Sequence, residues 1–374
     1  MKKKRFLALV LTAIMTAASL AGCVSKSGNG STEAGASTTA TRQTTGTQTQ
    51  TEEKTEEAGE TFPVTVTDQL GREVTIEKEP QKLVSGYYIS TSIVIALDLE
   101  DKLVGVEAKA GKRAIYKLAA EDIVNLPSVG TAKEFDLEGC AALSPDLVIV
   151  PAKLKDKIAS MEELGLTVIA VNPENNDLLK EAAELIGKAT GQTAKADDLV
   201  KTIDKGISSL KDRVGSETNP TVYLAGNSNI LQTAGAKMYQ NTLIENAGGV
   251  NVAAEIDDNY WAEVSYEQIL KWDPDYIIIA ADADYTVDDV LKDTNLADCK
   301  AVKNGNVYIV PSDAEALDSP VPAGYLGSYY IASVIHSDVV SEEDFQTEAI
   351  NFYEKFYEFT PVSYTHLTLP TIRL

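Results

Sequence analysis

The sequence predicts an α/β protein: two α/β lobes with central parallel-type sheets, joined by one long backbone helix. Three observations predict it. First, one pattern is written twice: Glu138, six residues, Pro145-Asp146 and the apolar run Leu147–Val150, then Glu267, six residues, Pro274-Asp275 and Tyr276–Ile279. Each copy reads as a short helix, a proline turn and a strand buried on both faces. Second, Ala196, Leu199, Val200, Ile203, Ile207, Leu210 and Val214 recur at spacings of three and four between the copies, the seam of an amphipathic helix. Third, short apolar runs alternate with helical patterns on both sides of that seam. Two lobes imply a cleft, and a cleft implies a ligand.

The N-terminus sets the compartment. Lys2-Lys3-Lys4-Arg5 is a positive n-region, and Phe6 to Leu20 carries no charge. That run is short for a membrane-spanning helix, which needs about 20 apolar residues, and a polar linker follows it. Leu20-Ala21-Gly22-Cys23 resembles the lipobox of bacterial lipoproteins. The resemblance implies lipidation at Cys23 and an anchor on the outer face of the cytoplasmic membrane. Residues 24 to about 61 are Ser, Thr, Gly, Gln and Glu with almost nothing apolar. They cannot bury enough surface to offset ordering entropy and are expected to form a disordered tether, its ends roughly 35 Å apart.

Within the folded part, Val64–Thr67 and Glu73–Ile76 alternate in β fashion around Asp68–Gly71, a hairpin. The runs Leu83-Val84, Leu103–Val106, Leu147–Val150 and Thr167–Val171 predict the first sheet. The central helix is expected to cap at Thr193 and stop at Gly215. Val222–Ala225, Tyr276–Ala281 and Val307–Val310 predict the second sheet, and Glu343–Phe359 a closing helix. Ser363–Pro370 resembles translated sequencing-adapter sequence rather than protein, so residues 361–374 are set aside as a non-native tail. The expected division is a signal peptide over 1–22, lipidated cysteine and tether over 23–61, an N-terminal lobe over 62–192, a connecting helix over 193–215 and a C-terminal lobe over 216–360.

The formal net charge of −23 becomes −27 when the four basic residues Lys2–Arg5 leave with the signal peptide. Nucleic acid and anionic membrane surfaces are thereby poor partners. Cys140 and Cys299 fall in different lobes and read as buried small side chains rather than a disulfide.

Four passages carry a family resemblance: Thr67–Thr75, Leu143–Ile149, Ala247–Val252 and Ala301–Tyr308. In this order, behind a lipobox, the chain resembles the helical-backbone class of ABC-transporter substrate-binding proteins. The resemblance implies a monomeric receptor that delivers a metal chelate to an ABC permease dimer with its ATPase. The expected cargoes are ferric siderophore, then cobalamin, then haem. It also implies that Glu138 and Glu267, one per lobe, dock on permease arginines. An oxyanion or other non-metal solute is the alternative cargo, and a haem- or iron-scavenging surface lipoprotein without a permease is the rival outside transport.

Ligands of α/β sheets sit beyond the carboxyl ends of the strands. The loops placed there contain Tyr87, Tyr88, Tyr260, Trp261, Tyr285 and Tyr325, aromatic walls that suit a large chelate, with Asn227 beside them. Packing between loop and sheet is the ordinary role of such tyrosines. Lys109, Lys112, Arg113, Lys133, Lys153 and Lys155 gather in the first lobe's loops. A solvated face is the default for such a run, but against so negative a chain their gathering at strand ends points equally to an anionic ligand, and Arg113 leads because its planar fork can hold two oxygens. Direct metal ligation is not expected, since the only histidine outside the tail is His336, at the end of an apolar helix. No GxSxG, HExxH, GxxxxGK[ST] or strand-following GxGxxG occurs, so no enzyme and no cofactor are expected.

Overall fold

The computed structural model describes residues 61–361 apart from Ser216. The signal peptide, Cys23, nearly all of the tether and all but the first residue of the tail lie outside the described residues.

The hairpin opens the fold, with β1 (Val64–Thr67) antiparallel to β2 (Glu73–Ile76). Asp68 shapes its turn, accepting the N–H groups of Leu70 and Arg72 at 3.0 Å and pairing with the Arg72 guanidinium at 2.6 Å. The same carboxylate accepts the Ala170 N–H at 3.1 Å, which pins the hairpin to the first sheet.

That sheet contains β3 (Leu83–Ser85), β4 (Leu103–Val106), β5 (Leu147–Pro151) and β6 (Val168–Val171), all parallel in the order β4-β3-β5-β6. Between and after these strands run α1 (Tyr88–Ala96), α2 (Ala114–Ala119), α3 (Leu137–Ala142), α4 (Lys155–Glu163) and α5 (Asn176–Thr190). The long α6 (Thr193–Val214) follows. The second sheet contains β7 (Thr221–Ala225), β8 (Gln232–Thr233), β9 (Val250–Asn251), β10 (Ala262–Glu263), β11 (Tyr276–Ile279) and β12 (Val307–Ile309). Its helices are α7 (Tyr239–Asn246), α8 (Tyr266–Trp272), α9 (Val287–Leu291) and α10 (Lys300–Asn304), before α11 (Leu326–Ile335) and α12 (Glu342–Tyr357) close the chain.

The parallel strands β9, β7, β11 and β12 repeat the second-first-third-fourth order of the first sheet, with β8 and β10 added antiparallel. The duplicated Pro-Asp explains itself here. Asp146 accepts the N–H groups of Gln81 and Lys82 at 3.0 Å, just ahead of β3. Asp275 accepts the N–H and hydroxyl of Thr221, the first residue of β7, at 2.8 and 2.7 Å. In each lobe the aspartate ties the strand after the proline to the strand it pairs with.

Alternation along the strands divides the apolar side chains three ways. Leu147, Ile149, Val222, Leu224 and Ile278 face one central core shared with α1, α5, α6, α11 and α12. Val148 and Val150 face an outer core of the first lobe, and Tyr223, Ile277 and Ile279 an outer core of the second. So α6 joins the lobes as expected, and it is not alone: the inner faces of both sheets drain into the same apolar mass. Helix α6 begins one residue earlier than its cap signal suggests, because Gln192 takes the cap position and Thr193 is already helical. Gly206 of α6 is buried, and a Cβ there would run into the Tyr325 ring. Gly206→Val is expected to lower stability by about 1–3 kcal/mol through overpacking, read as a shifted urea midpoint; an unchanged midpoint would mean that the ring has room to yield.

Candidate functional site

A cavity of about 330 Å³ lies between the lobes, with Tyr88, Lys112, Arg113, Asp282, Glu315 and Ser319 on its wall. Tyr88 opens α1 beyond the end of β3, and Lys112 and Arg113 lie between β4 and α2. Asp282 follows β11, and the segment around Glu315 follows β12. Every contributor therefore sits past the carboxyl end of a parallel strand.

Arg113 is held from two sides. Its guanidinium carbon stands 4.0 Å from the centroid of the Tyr88 ring, a cation–π contact. Its Nε lies 3.7 Å from Glu107 Oε1, too long for a hydrogen bond, and is buried without a partner. Glu107 is fixed in turn, since Thr91 donates to its Oε2 at 2.9 Å and the Tyr116 hydroxyl to its Oε1 at 2.8 Å. Tyr87 meets Tyr88 edge-on at 5.1 Å. Desolvation raises the Tyr88 phenol above its ordinary value while the nearby Arg113 charge opposes the shift.

The segment after β12 bridges the lobes. Ile115 N–H donates to Ala314 O at 3.0 Å. Ser92 of α1 donates to Glu315 Oε1 at 2.6 Å, and the Tyr357 hydroxyl of α12 stands 2.8 Å from Ser92 Oγ. Glu315 Oε2 is buried and makes no hydrogen bond. Burial pushes the Glu315 carboxyl up to about 7, against the pull of Ser92 and Arg113. Burial likewise pushes Asp318 up to about 7, although it accepts the Ala281 N–H at 3.0 Å.

Both acids hold protons in the folded chain that the unfolded chain gives up near 4.5 and 3.8. The folded state therefore binds more protons across that interval, and the stabilisation is complete below it and lost as pH rises through about 7. Stability is expected to decline by a few kcal/mol between about pH 5 and 8. Thermal unfolding checks this: Glu315→Gln with Asp318→Asn should flatten the profile, and a wild-type midpoint that rises over that range would contradict it.

The structure brings only part of the sequence-predicted set together. Tyr88 and Arg113 share the cavity wall, with Lys112 beside them. Lys133 and Lys153 are exposed and stand off the wall. Asn227 is a loop tie: its side-chain amide donates to Ala281 O, and its backbone carbonyl accepts the Asp284 N–H at 2.9 Å. The Tyr285 hydroxyl donates to Gly226 O at 2.8 Å, and its ring lines a separate cavity of about 180 Å³. Trp261 is half-buried over Gly226, and Tyr260 is 72% exposed. Tyr325 is a correction. It is 1% exposed, donates to Glu348 at 2.8 Å and packs 5.4 Å from the Phe352 ring. The 3-10 turn Pro322–Tyr325 leads straight into α11 and aims the ring at α6, off the cavity wall.

Glu138 and Glu267 are exposed in the first turns of α3 and α8, each two residues past its cap. Asp136 caps α3 by accepting the Gly139 N–H at 2.9 Å, and Ser265 caps α8 by accepting the Gln268 N–H at 3.3 Å. A hydrogen bond from Ser265 holds the Glu267 carboxyl below its ordinary value. Cys140 and Cys299 are free and buried, and burial raises the Cys140 thiol to about 11. His336 is packed, its Nε2 3.3 Å from Gly248 O. Among the described residues no cluster of His, Cys, Asp and Glu could hold a metal ion, and no helix is long and apolar enough to cross a membrane. Glu107, Glu315 and Asp318 carried no signal in the sequence: in a chain of −23 they resemble any solvated acid.

A family model for periplasmic binding proteins matches residues 83–314. The molybdate-binding protein MolA of Haemophilus influenzae is 27% identical, over 78% of this chain and 90% of its own length. Its molybdate-bound structure superposes with a TM-score of 0.69 over 80% of this chain and 99% of that one. The petrobactin-binding protein YclQ of Bacillus subtilis is 27% identical, over 67% of this chain and 80% of its own. A periplasmic solute binding protein from Veillonella parvula gives a TM-score of 0.73 at 26% identity, covering 81% of this chain and 95% of that one.

Proposed function

The chain belongs to the periplasmic binding protein family, as the solute-receiving part of an ABC importer rather than an enzyme, and we propose that its cargo is a compact anion held between the lobes by Arg113. The observation that carries this reading is the Arg113 guanidinium itself, on the cavity wall, stacked on Tyr88 and steadied by Glu107. Lys112 adds positive charge to the same wall, and Ser312 and Ser319 add hydroxyls. At about 30 Å³ per water, 330 Å³ is room for about ten waters. That scale suits an oxyanion such as the molybdate bound by the relative MolA.

The sequence put a ferric siderophore, cobalamin or haem first, and an anionic metal chelate is the second reading. Tyr260 favours it, because an aromatic ring left 72% exposed is a surface that a flat ligand could cover. Calorimetric titration with molybdate, tungstate, sulfate, ferric siderophores, cobalamin and haem separates the two. Heat with the oxyanions supports the first reading, and heat only with the large ligands replaces it with the second. In either case the receptor acts as a monomer, tethered through lipid at Cys23, and seats on the permease dimer through Glu138 and Glu267.

A further inference from the structure

Asp282 shares the cavity wall with two cations but comes from the other lobe. Lys112 and Arg113 lie between β4 and α2 of the first lobe, and Asp282 lies just past β11 of the second. The cavity thus carries positive charge from one lobe and negative charge from the other. A carboxylate in an anion site needs a reason, and the local backbone supplies none. Three aspartates among the described residues have positive φ, a conformation that aspartate tolerates. Asp98 pairs with Lys195, and Asp273 accepts the Lys300 N–H at 2.7 Å. Asp282, at φ 56°, accepts no hydrogen bond and joins no ion pair among the described residues. The ion pair of Arg113 is with Glu107 instead.

The place of Asp282 is nonetheless fixed. The residue before it, Ala281, donates its N–H to Asp318 at 3.0 Å and accepts the side-chain amide of Asn227 at its carbonyl. Two residues after it, the Asp284 N–H returns to the Asn227 backbone carbonyl at 2.9 Å. The loop is clamped on both sides of a side chain that is left exposed. The charge of Asp282 reaches the buried Asp318, and that of Asp318 reaches the phenol of Tyr88, the ring on which Arg113 stacks.

We propose that Asp282 determines the specificity of the site, and that the cargo is an oxyanion that keeps a proton at neutral pH, such as hydrogen phosphate or hydrogen arsenate. This rests on the anion reading above. Arg113 donates to bare oxygens of the ion from the first lobe, and Asp282 accepts the ion's own O–H from the second. An O–H to carboxylate bond is short and strong. An ion with no proton to give, such as molybdate or sulfate, meets the same carboxylate as a like charge, an element that selects by repulsion. The cavity's volume admits both kinds of ion, and the charge on its second wall separates them. Buried sites that bond a substrate hydroxyl reject analogues lacking it by about 10⁴- to 10⁵-fold. Asp282 is exposed and screened by water, so about 10- to 100-fold is expected here.

Calorimetric titration near neutral pH with phosphate, arsenate, molybdate, tungstate and sulfate tests this. Phosphate and arsenate should bind about 10- to 100-fold tighter than the other three. Asp282→Asn suits the same positive φ and offers an N–H where the carboxylate had only acceptors. It should tighten the three bare ions about tenfold and weaken phosphate and arsenate, so that the two groups converge.

Wild-type affinity for molybdate, tungstate or sulfate equal to or above that for phosphate overturns the proposal without need of any variant. A preference for phosphate that Asp282→Asn leaves intact overturns it by moving the acceptor to another group. If none of these ions binds, the anion reading fails and this inference goes with it. That outcome is distinct from tight binding of the bare ions, which sinks the inference alone.

Discussion

Replacing Arg113 by alanine is expected to weaken oxyanion binding by about 100- to 1,000-fold, the range for removing one partner of a desolvated charged contact. Arg113 is the one arginine on the cavity wall among the described residues. Its charge is spread over a fork that can meet two oxygens at once, and the Tyr88 ring fixes the plane of that fork. Arg113→Lys should keep the charge, lose the fork and the stack, and recover only part of the loss. The fold should survive both changes, because Glu107 keeps Thr91 and Tyr116 as donors when the guanidinium leaves. Titration alongside thermal unfolding separates binding from stability. Affinity within threefold of wild type for Arg113→Ala would place the anion elsewhere.

Reversing the charge of Glu138 and Glu267 together is expected to reduce transport to background while leaving cargo affinity unchanged. Both carboxylates are exposed and stand at matching positions of the two copies of the repeat. A symmetric permease would meet them as a pair, one from each lobe. Such rim charges steer encounter and fix register more than they add affinity. Lysine near a helix N-terminus opposes the dipole at each site, so Glu138→Gln with Glu267→Gln is the milder control. Uptake into vesicles carrying the permease and its ATPase reads the outcome. Normal uptake by the lysine pair would remove the docking role.

The architecture was legible in the sequence wherever one residue type does one job. Pro145-Asp146 and Pro274-Asp275 advertise a turn into a buried strand, and the aspartates prove to be the clamps that close each sheet. The period of Ala196–Val214 states helix and buried face together. The cavity was legible only at Tyr88, Lys112 and Arg113. A loop tyrosine serves equally as wall, tie or core: all three were expected on the wall, and Tyr88 stands there while Tyr285 is a tie and Tyr325 core. What decided each was the direction of the backbone leaving the strand, which composition does not encode. Glu107 and Glu315 were invisible for a related reason: an acid becomes buried through the neighbours that tertiary folding brings, here Tyr116 and Ser92.

The shared central core also governs when this chain can become native. Ser92 and Tyr357, joined at 2.8 Å, are 265 positions apart in the chain. Until the last helix is in place, Leu147, Ile149 and their neighbours have no complete cover. An incomplete chain therefore leaves apolar surface bare, and the native core waits on the final segment.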